Sequence, residues 1–296
     1  MRSVVTTVQS RPARRRSLRP AQIVGGLLTL LLWLGALVVI FPIAWTVLAA
    51  FRPDSSFLTS PFRVDPREWI LTNFSTAFSQ GDFGGGFGNS AVQVAIILTT
   101  TLFFCPLAGY GFSKFEFRGK RFLFGLMMLT LFFVPITQYV PLLIEMNNIG
   151  WIDTFQGLVV PLSVSSFGIF WMSTVIAGVP DELLHAARVD GCGSFGVFWR
   201  VIMPVIRPAL VSLGVVTFLT AYNDYFWPLL IVPTRQTIQV VLANLQSSLL
   251  TTAVTTSSNW GAILAAATVV FMPTIVIFLF MQRFFLRGVL QGSLKG

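Results

Sequence analysis

The side chains able to do chemistry are few, and their spacing argues against catalysis. One histidine, His185, and two cysteines, Cys105 and Cys192, are spread over 296 residues. Neither cysteine belongs to a spacing suited to metal binding or to a redox pair, so both read as free thiols. No nucleophile has an apparent base beside it. Arg118-Gly-Lys120-Arg121 is a basic turn, but a phosphate-cradling loop reads Gly-x-x-x-x-Gly-Lys-Ser/Thr; the first glycine and the final hydroxyl are both missing. The chain is expected to be no enzyme and to bind no metal or cofactor of its own.

Two polar groups stand out because their surroundings are apolar. Asp224 lies in Ala221-Tyr-Asn-Asp-Tyr-Phe-Trp-Pro228 beside Tyr222 and Asn223. An ionisable group at membrane depth is costly and faces a bundle interior or a water-filled cavity. Gln138 and Tyr139 lie between Pro135 and Pro141, a polar interruption flanked by helix breakers. Irregular backbone at such depth is tolerated where protein or a wet cavity satisfies it. A tyrosine there offers an apolar ring and a hydroxyl.

The elements that would position these residues are membrane helices. Hydrophobic residues make up 54% of the chain and charged ones 10%, against about a quarter charged in soluble domains. Apolar runs near 23–51, 90–113, 122–144, 154–178, 208–232 and 261–282 approach or exceed the roughly 20 residues a crossing needs, predicting an all-α polytopic fold with six spans. The first run is too long for the apolar core of a signal peptide. The basic residues flank the runs rather than forming a nucleic-acid-binding patch, despite a net charge of +9. Sixteen of the twenty lysines and arginines fall on the side that holds both termini, including a basic segment at 1–20; that side is expected to be cytoplasmic. Residues 21–296 then form a single membrane domain. Two external segments, Arg52 to Asn89 and the uncharged Thr237 to Trp260, read as long loops. Gly84, Gly85, Gly86 and Gly88 in the first are expected to bend the chain before the second span.

The cytoplasmic segment from Pro180 to Pro204 has the pattern of a short amphipathic helix, a glycine bend and a second helix. Asp181 and Glu182 suit its first turn, where they complement the helix dipole. Gly191 offers the bend, and Val197, Phe198, Val201 and Ile202 make an apolar face at helical spacing. This segment resembles the signature of the inner-membrane permeases of binding-protein-dependent ABC importers: Glu-Ala-Ala, three residues, Gly, nine residues, Ile-x-Leu-Pro. Ala186, Ala187, Gly191, Val201, Met203 and Pro204 keep the spacing, and His185 stands where the family has glutamate. Pro180-x-Glu182-Leu183, Asp190-Gly191 and Phe198-Trp-Arg200 resemble the maltose-type second permease. So do Asn89-Ser90, Ala108-Gly-Tyr-Gly-Phe112, Phe117-Arg-Gly-Lys120 and Gly288-x-x-x-Gly292-Ser-x-Lys295-Gly296.

The resemblance implies a subunit of a sugar importer in the bacterial inner membrane. Its partners would be a second, homologous permease, two ATPase subunits carrying ATP and Mg, an extracytoplasmic sugar-binding protein and the surrounding lipid. Glu182, His185, Ala186, Ala187, Arg188, Asp190 and Gly191 would dock the ATPases, the alanines by allowing close approach. Glu182, one turn before His185, is a candidate for the acidic role that histidine cannot fill. Gln138, Tyr139, Tyr222, Asn223 and Asp224 are candidates for the substrate pathway, although Asn223 and Asp224 equally suit helix packing or an outer gate. An ion- or proton-coupled secondary transporter is the alternative, resting on Asp224 alone. Which sugar is carried is not written in the sequence.

Overall fold

The computed structural model describes residues 20–60, 62–63, 65–253 and 259–293. The basic segment before Pro20, five residues of the second external segment and the last three of the C-terminal motif lie outside these. Among the described residues the chain is helical: α1 (Pro20–Ala49), α2 (Asp54–Thr59), α3 (Thr72–Gln80), α4 (Phe83–Lys114), α5 (Lys120–Leu129), α6 (Pro135–Asn148), α7 (Phe155–Val159), α8 (Ser166–Ala177), α9 (Asp181–Val189), α10 (Ser194–Val197), α11 (Met203–Val205), α12 (Arg207–Tyr222), α13 (Phe226–Ile231), α14 (Ile238–Ala253) and α15 (Trp260–Ser293). A π-helical turn, Phe198–Ile202, joins α10 to α11.

Among the described residues, four segments are long and apolar enough to cross a bilayer unaided: Gly25–Ala49, Phe83–Lys114, Phe155–Ala177 and Trp260–Met281. Six crossings result only if each of two bent pairs counts as one. The third expected span, 122–144, is such a pair: Lys120–Phe132 meets Pro135–Asn148 at 108°. The residue before a proline is pushed out of the helical region, and Val134 is accordingly extended at φ −68°, ψ 127°. The fifth, 208–232, is α12 and α13 separated by Asn223–Tyr225, and a 79° bend sets α12 off from the preceding helical segment, Ser194–Val205.

The described residues of both segments expected to be external loops are largely helical, which corrects the loop reading. α14 fills most of the second, with Val240, Val241, Leu242, Leu245 and Leu249 buried. The glycines expected to bend the chain sit inside the first turns of α4, where Asp82 caps the helix by accepting from the Gly85 N–H at 2.9 Å. Gly86 serves close approach instead, since a Cβ there would lie 3.2 Å from the Ile238 Cα. Asn89 and Ser90 tie the same two elements together. Asn89 Nδ2 donates to the Gln236 carbonyl at 3.0 Å, and Ser90 Oγ accepts from the Ile238 N–H at 2.9 Å.

α4 is the central strut, packed along α8 and against α12 and α14. Its contact with α8 depends on small residues, as in membrane helix pairs generally: a Cβ on Gly109 would meet the Ser173 N at 2.8 Å, and one on Gly168 would meet Cys105 Sγ at 2.8 Å. Two buried clusters result. One gathers around Trp227, α7 and α14 at one end; the other gathers Cys105, Tyr110, Met172 and Ile176 with Leu184, Phe198 and Ile202 at the opposite end. α1 rests on α15 and otherwise exposes leucines, valines and Trp33, as a lipid-facing helix would.

Candidate functional site

The segment from Pro180 to Pro204 forms an elbow. Pro180 caps α9, Asp181 and Glu182 occupy its first turn and Arg188 its last, so the charges complement the helix dipole at both ends. Gly191 takes φ +83°, the left-handed conformation that glycine adopts without penalty. Its N–H donates to the Arg188 carbonyl at 3.0 Å, and the Cys192 N–H donates to that of Ala187 at 2.9 Å, which closes the helix end.

Leu184, Val197, Phe198 and Ile202 are buried and seat the elbow on α4 and α8. Lys114 fastens it from the side: its Nζ donates to the Val179 carbonyl at 2.7 Å and pairs with Asp181 Oδ1 at 2.6 Å. The hydrogen bond from Lys114, then its charge, hold the Asp181 carboxyl below its usual range. With Leu184 facing inward, residues at helical spacing opposite it face out. Glu182, Ala186 and Val189 form that outward face, and Val189 is 88% exposed. His185, Arg188, Asp190 and Gly191 are also exposed. Ala187 is half-buried against the cluster, so of the two alanines only Ala186 is open to a partner.

The substrate-pathway candidates separate. Tyr139, Asn223 and Asp224 line one cavity of about 530 Å³ between α4, α6, α8 and α12. Gln138, one residue and about 100° further round α6, is exposed and does not line it. Tyr222 is buried as a strut, its hydroxyl donating to the Val270 carbonyl of α15 at 2.8 Å and its ring stacked on Phe218. Asp224 accepts from the backbone N–H of Trp227 at 3.5 Å. Trp227 in turn is fully buried, donates to the Gly157 and Leu158 carbonyls at 3.2 Å each, and lies 5.7 Å from the Tyr139 ring. Thr101, Ser165, Thr217 and Thr220 also line the cavity and were missed from sequence. Thr217, Thr220 and Asp224 recur at i, i+3 and i+7, a helical-face signal.

The arrangement is that of a polytopic helical membrane protein with a polar internal cavity and an exposed helical elbow at one end. A family model described as "Binding-protein-dependent transport system inner membrane component" matches residues 107–291. The chain is 32% identical over 269 residues to the probable ABC transporter permease protein YurM of Bacillus subtilis, covering 90% of this chain and 87% of that protein. It is 28% identical over 266 residues to the arabinooligosaccharides transport system permease protein AraQ of Halalkalibacterium halodurans, covering 88% and 93%. Identity to the sn-glycerol-3-phosphate transport system permease protein UgpE of Yersinia pestis is 30% over 270 residues, covering 89% and 95%. In fold it matches a chain of a bacterial ABC transporter involved in the import of the acidic polysaccharide alginate, with TM-score 0.77 and 20% identity over 93% of this chain and all of the other. The chain belongs to the binding-protein-dependent inner-membrane transport component family, the membrane permeases of ABC transporters.

Proposed function

We propose that this chain is one of two permease subunits of an ATP-driven importer that moves a sugar or sugar derivative into the cytoplasm by alternating access. ATP and Mg are handled by two partner ATPase subunits, an extracytoplasmic binding protein delivers the sugar, and both termini lie in the cytoplasm. The observation that carries the reading is the elbow. Its inner side is welded to the core through Leu184 and Phe198, while Glu182, Ala186 and Val189 face outward and are exposed among the described residues. A rigidly seated, outward-facing helix transmits the closing of a partner as a rigid-body movement of the bundle. Relatives that transport arabinooligosaccharides and sn-glycerol-3-phosphate support a polyol-type cargo.

Co-purification tests this directly. The chain is expected to bring down an ATPase subunit, and the complex to hydrolyse ATP faster when sugar-loaded binding protein is added. Uptake that survives loss of the ATPases and collapses with a protonophore would instead establish the secondary transporter.

A further inference from the structure

We propose that the cavity bearing Asp224 is a sugar-binding station on this subunit, built for a cargo that carries neither phosphate nor carboxylate. This rests on the importer reading above and adds to it the charge class of the cargo. At about 530 Å³ the cavity falls in the range of small-molecule sites, about 300–1,000 Å³. Its lining suits a polyol: the ring of Tyr139 offers an apolar face, and hydroxyl, amide and carboxylate groups converge beside it. The hydroxyl of Thr217 has no hydrogen-bond partner among the described residues and is free to bind a ligand. Asn223 holds its position by donating from Nδ2 to the Leu219 carbonyl at 2.8 Å.

The charge balance decides the class. Asp224 is an acid, and no lysine, arginine or histidine lines the cavity. Arg235, in the turn before α14, lies over the Phe155 ring at 5.5 Å and does not line the cavity. Protein sites for phosphate and carboxylate use arginine or lysine, or the free N–H groups of a helix start. Two helix starts border this cavity, and each has part of its donor set removed: Pro135 has no N–H and the Thr137 N–H donates to the Val134 carbonyl at 3.0 Å, while the Ser165 Oγ accepts from the Gly168 N–H at 2.8 Å. A phosphate about 6 Å from the Asp224 carboxylate, at an effective dielectric of about 20, would be disfavoured roughly 100-fold per charge. Hydroxyl groups, by contrast, donate to a carboxylate in charge-assisted hydrogen bonds.

The test uses the purified complex of this chain with its second permease and ATPases, without binding protein, so that selection by the binding protein does not enter. Equilibrium binding is measured for maltose and arabinobiose against glucose 6-phosphate and sn-glycerol 3-phosphate. Neutral sugars are expected to bind at least about tenfold more tightly than either phosphate. Asp224→Asn is expected to narrow that gap at least tenfold, and Thr217→Val to weaken the neutral sugars several-fold. Thr217→Val stands in if Asp224→Asn fails to assemble. Phosphates binding as well as the neutral sugars, no binding of any probe, or variants that leave the pattern unchanged would overturn the proposal while an assembled ATPase keeps the importer reading intact. A chain that recruits no ATPase would overturn that reading first.

Discussion

Replacing Gly191 with valine isolates one physical quantity, backbone strain at the elbow. A Cβ at Gly191 would meet nothing within 4 Å, so no steric overlap accompanies the change. The φ of +83° is the whole effect. A residue with a Cβ in the left-handed region costs about 1–2 kcal/mol, and a β-branched one is a marked outlier there. At about 0.59 kcal/mol per RT, 2 kcal/mol reduces the population of the native bend about 30-fold relative to alternatives. Gly193, two residues on, provides the control. It also has open space around its Cβ position, but its φ is −69°, which any residue tolerates. Purified complexes of Gly191→Val, Gly191→Ala and Gly193→Ala would be compared for ATPase retention and sugar-stimulated ATP hydrolysis. Loss is expected for Gly191→Val, a partial loss for Gly191→Ala and none for Gly193→Ala. Full coupling in Gly191→Val, or equal damage from Gly193→Ala, would refute the argument that this bend sets the docking geometry.

The Asp181 carboxyl is held low by Lys114, so its contribution is fully present above the ordinary aspartate range near 4 and is lost as pH falls through the lower folded value. Protection of the α9 amides, corrected for intrinsic exchange, is therefore expected to be flat from pH 7 to 5 and to fall only below about pH 4; loss of protection already at pH 6 would contradict it. Gly109→Val should force α4 from α8 at the Ser173 backbone, lowering stability by about 1–3 kcal/mol or more, read as a fall in the Tm of the detergent-solubilised protein. His185→Ala should leave coupling nearly intact in the ATPase assay, because an exposed polar contact contributes no more than about 1 kcal/mol.

The elbow was legible because its boundaries are backbone facts. Pro180 and Pro204 mark helix edges, and Gly191 supplies the conformation other residues avoid. The four glycines near residue 86 misled because glycine serves both bends and close approach, and only the partner, Ile238, distinguishes them. Asp82, three residues before Gly85, was the cap signal that would have placed the helix start. The polar, uncharged composition of α14 suggests a loop, although Ile238, Val241, Leu242, Leu245 and Leu249 carry the 3.6-residue period. Gln138 and Tyr139 are neighbours with opposite fates. Which of them faces inward depends on how α6 rotates against α12 after the 108° bend, and a local pattern does not encode that rotation.

α4 has a geometric consequence beyond packing. At 1.5 Å per residue its 32 residues reach about 48 Å, with α14 pressed on it at Gly86 and the elbow pinned to it at Lys114. A rod of that length acts as a lever: a tilt of about 5° about the Gly86 end displaces the Lys114 end by about 4 Å, most of the 5.4 Å pitch of a helix. Pro106, eight residues before Lys114, lacks the N–H that would complete the ladder there, so part of that tilt can be taken up as bending just short of the elbow.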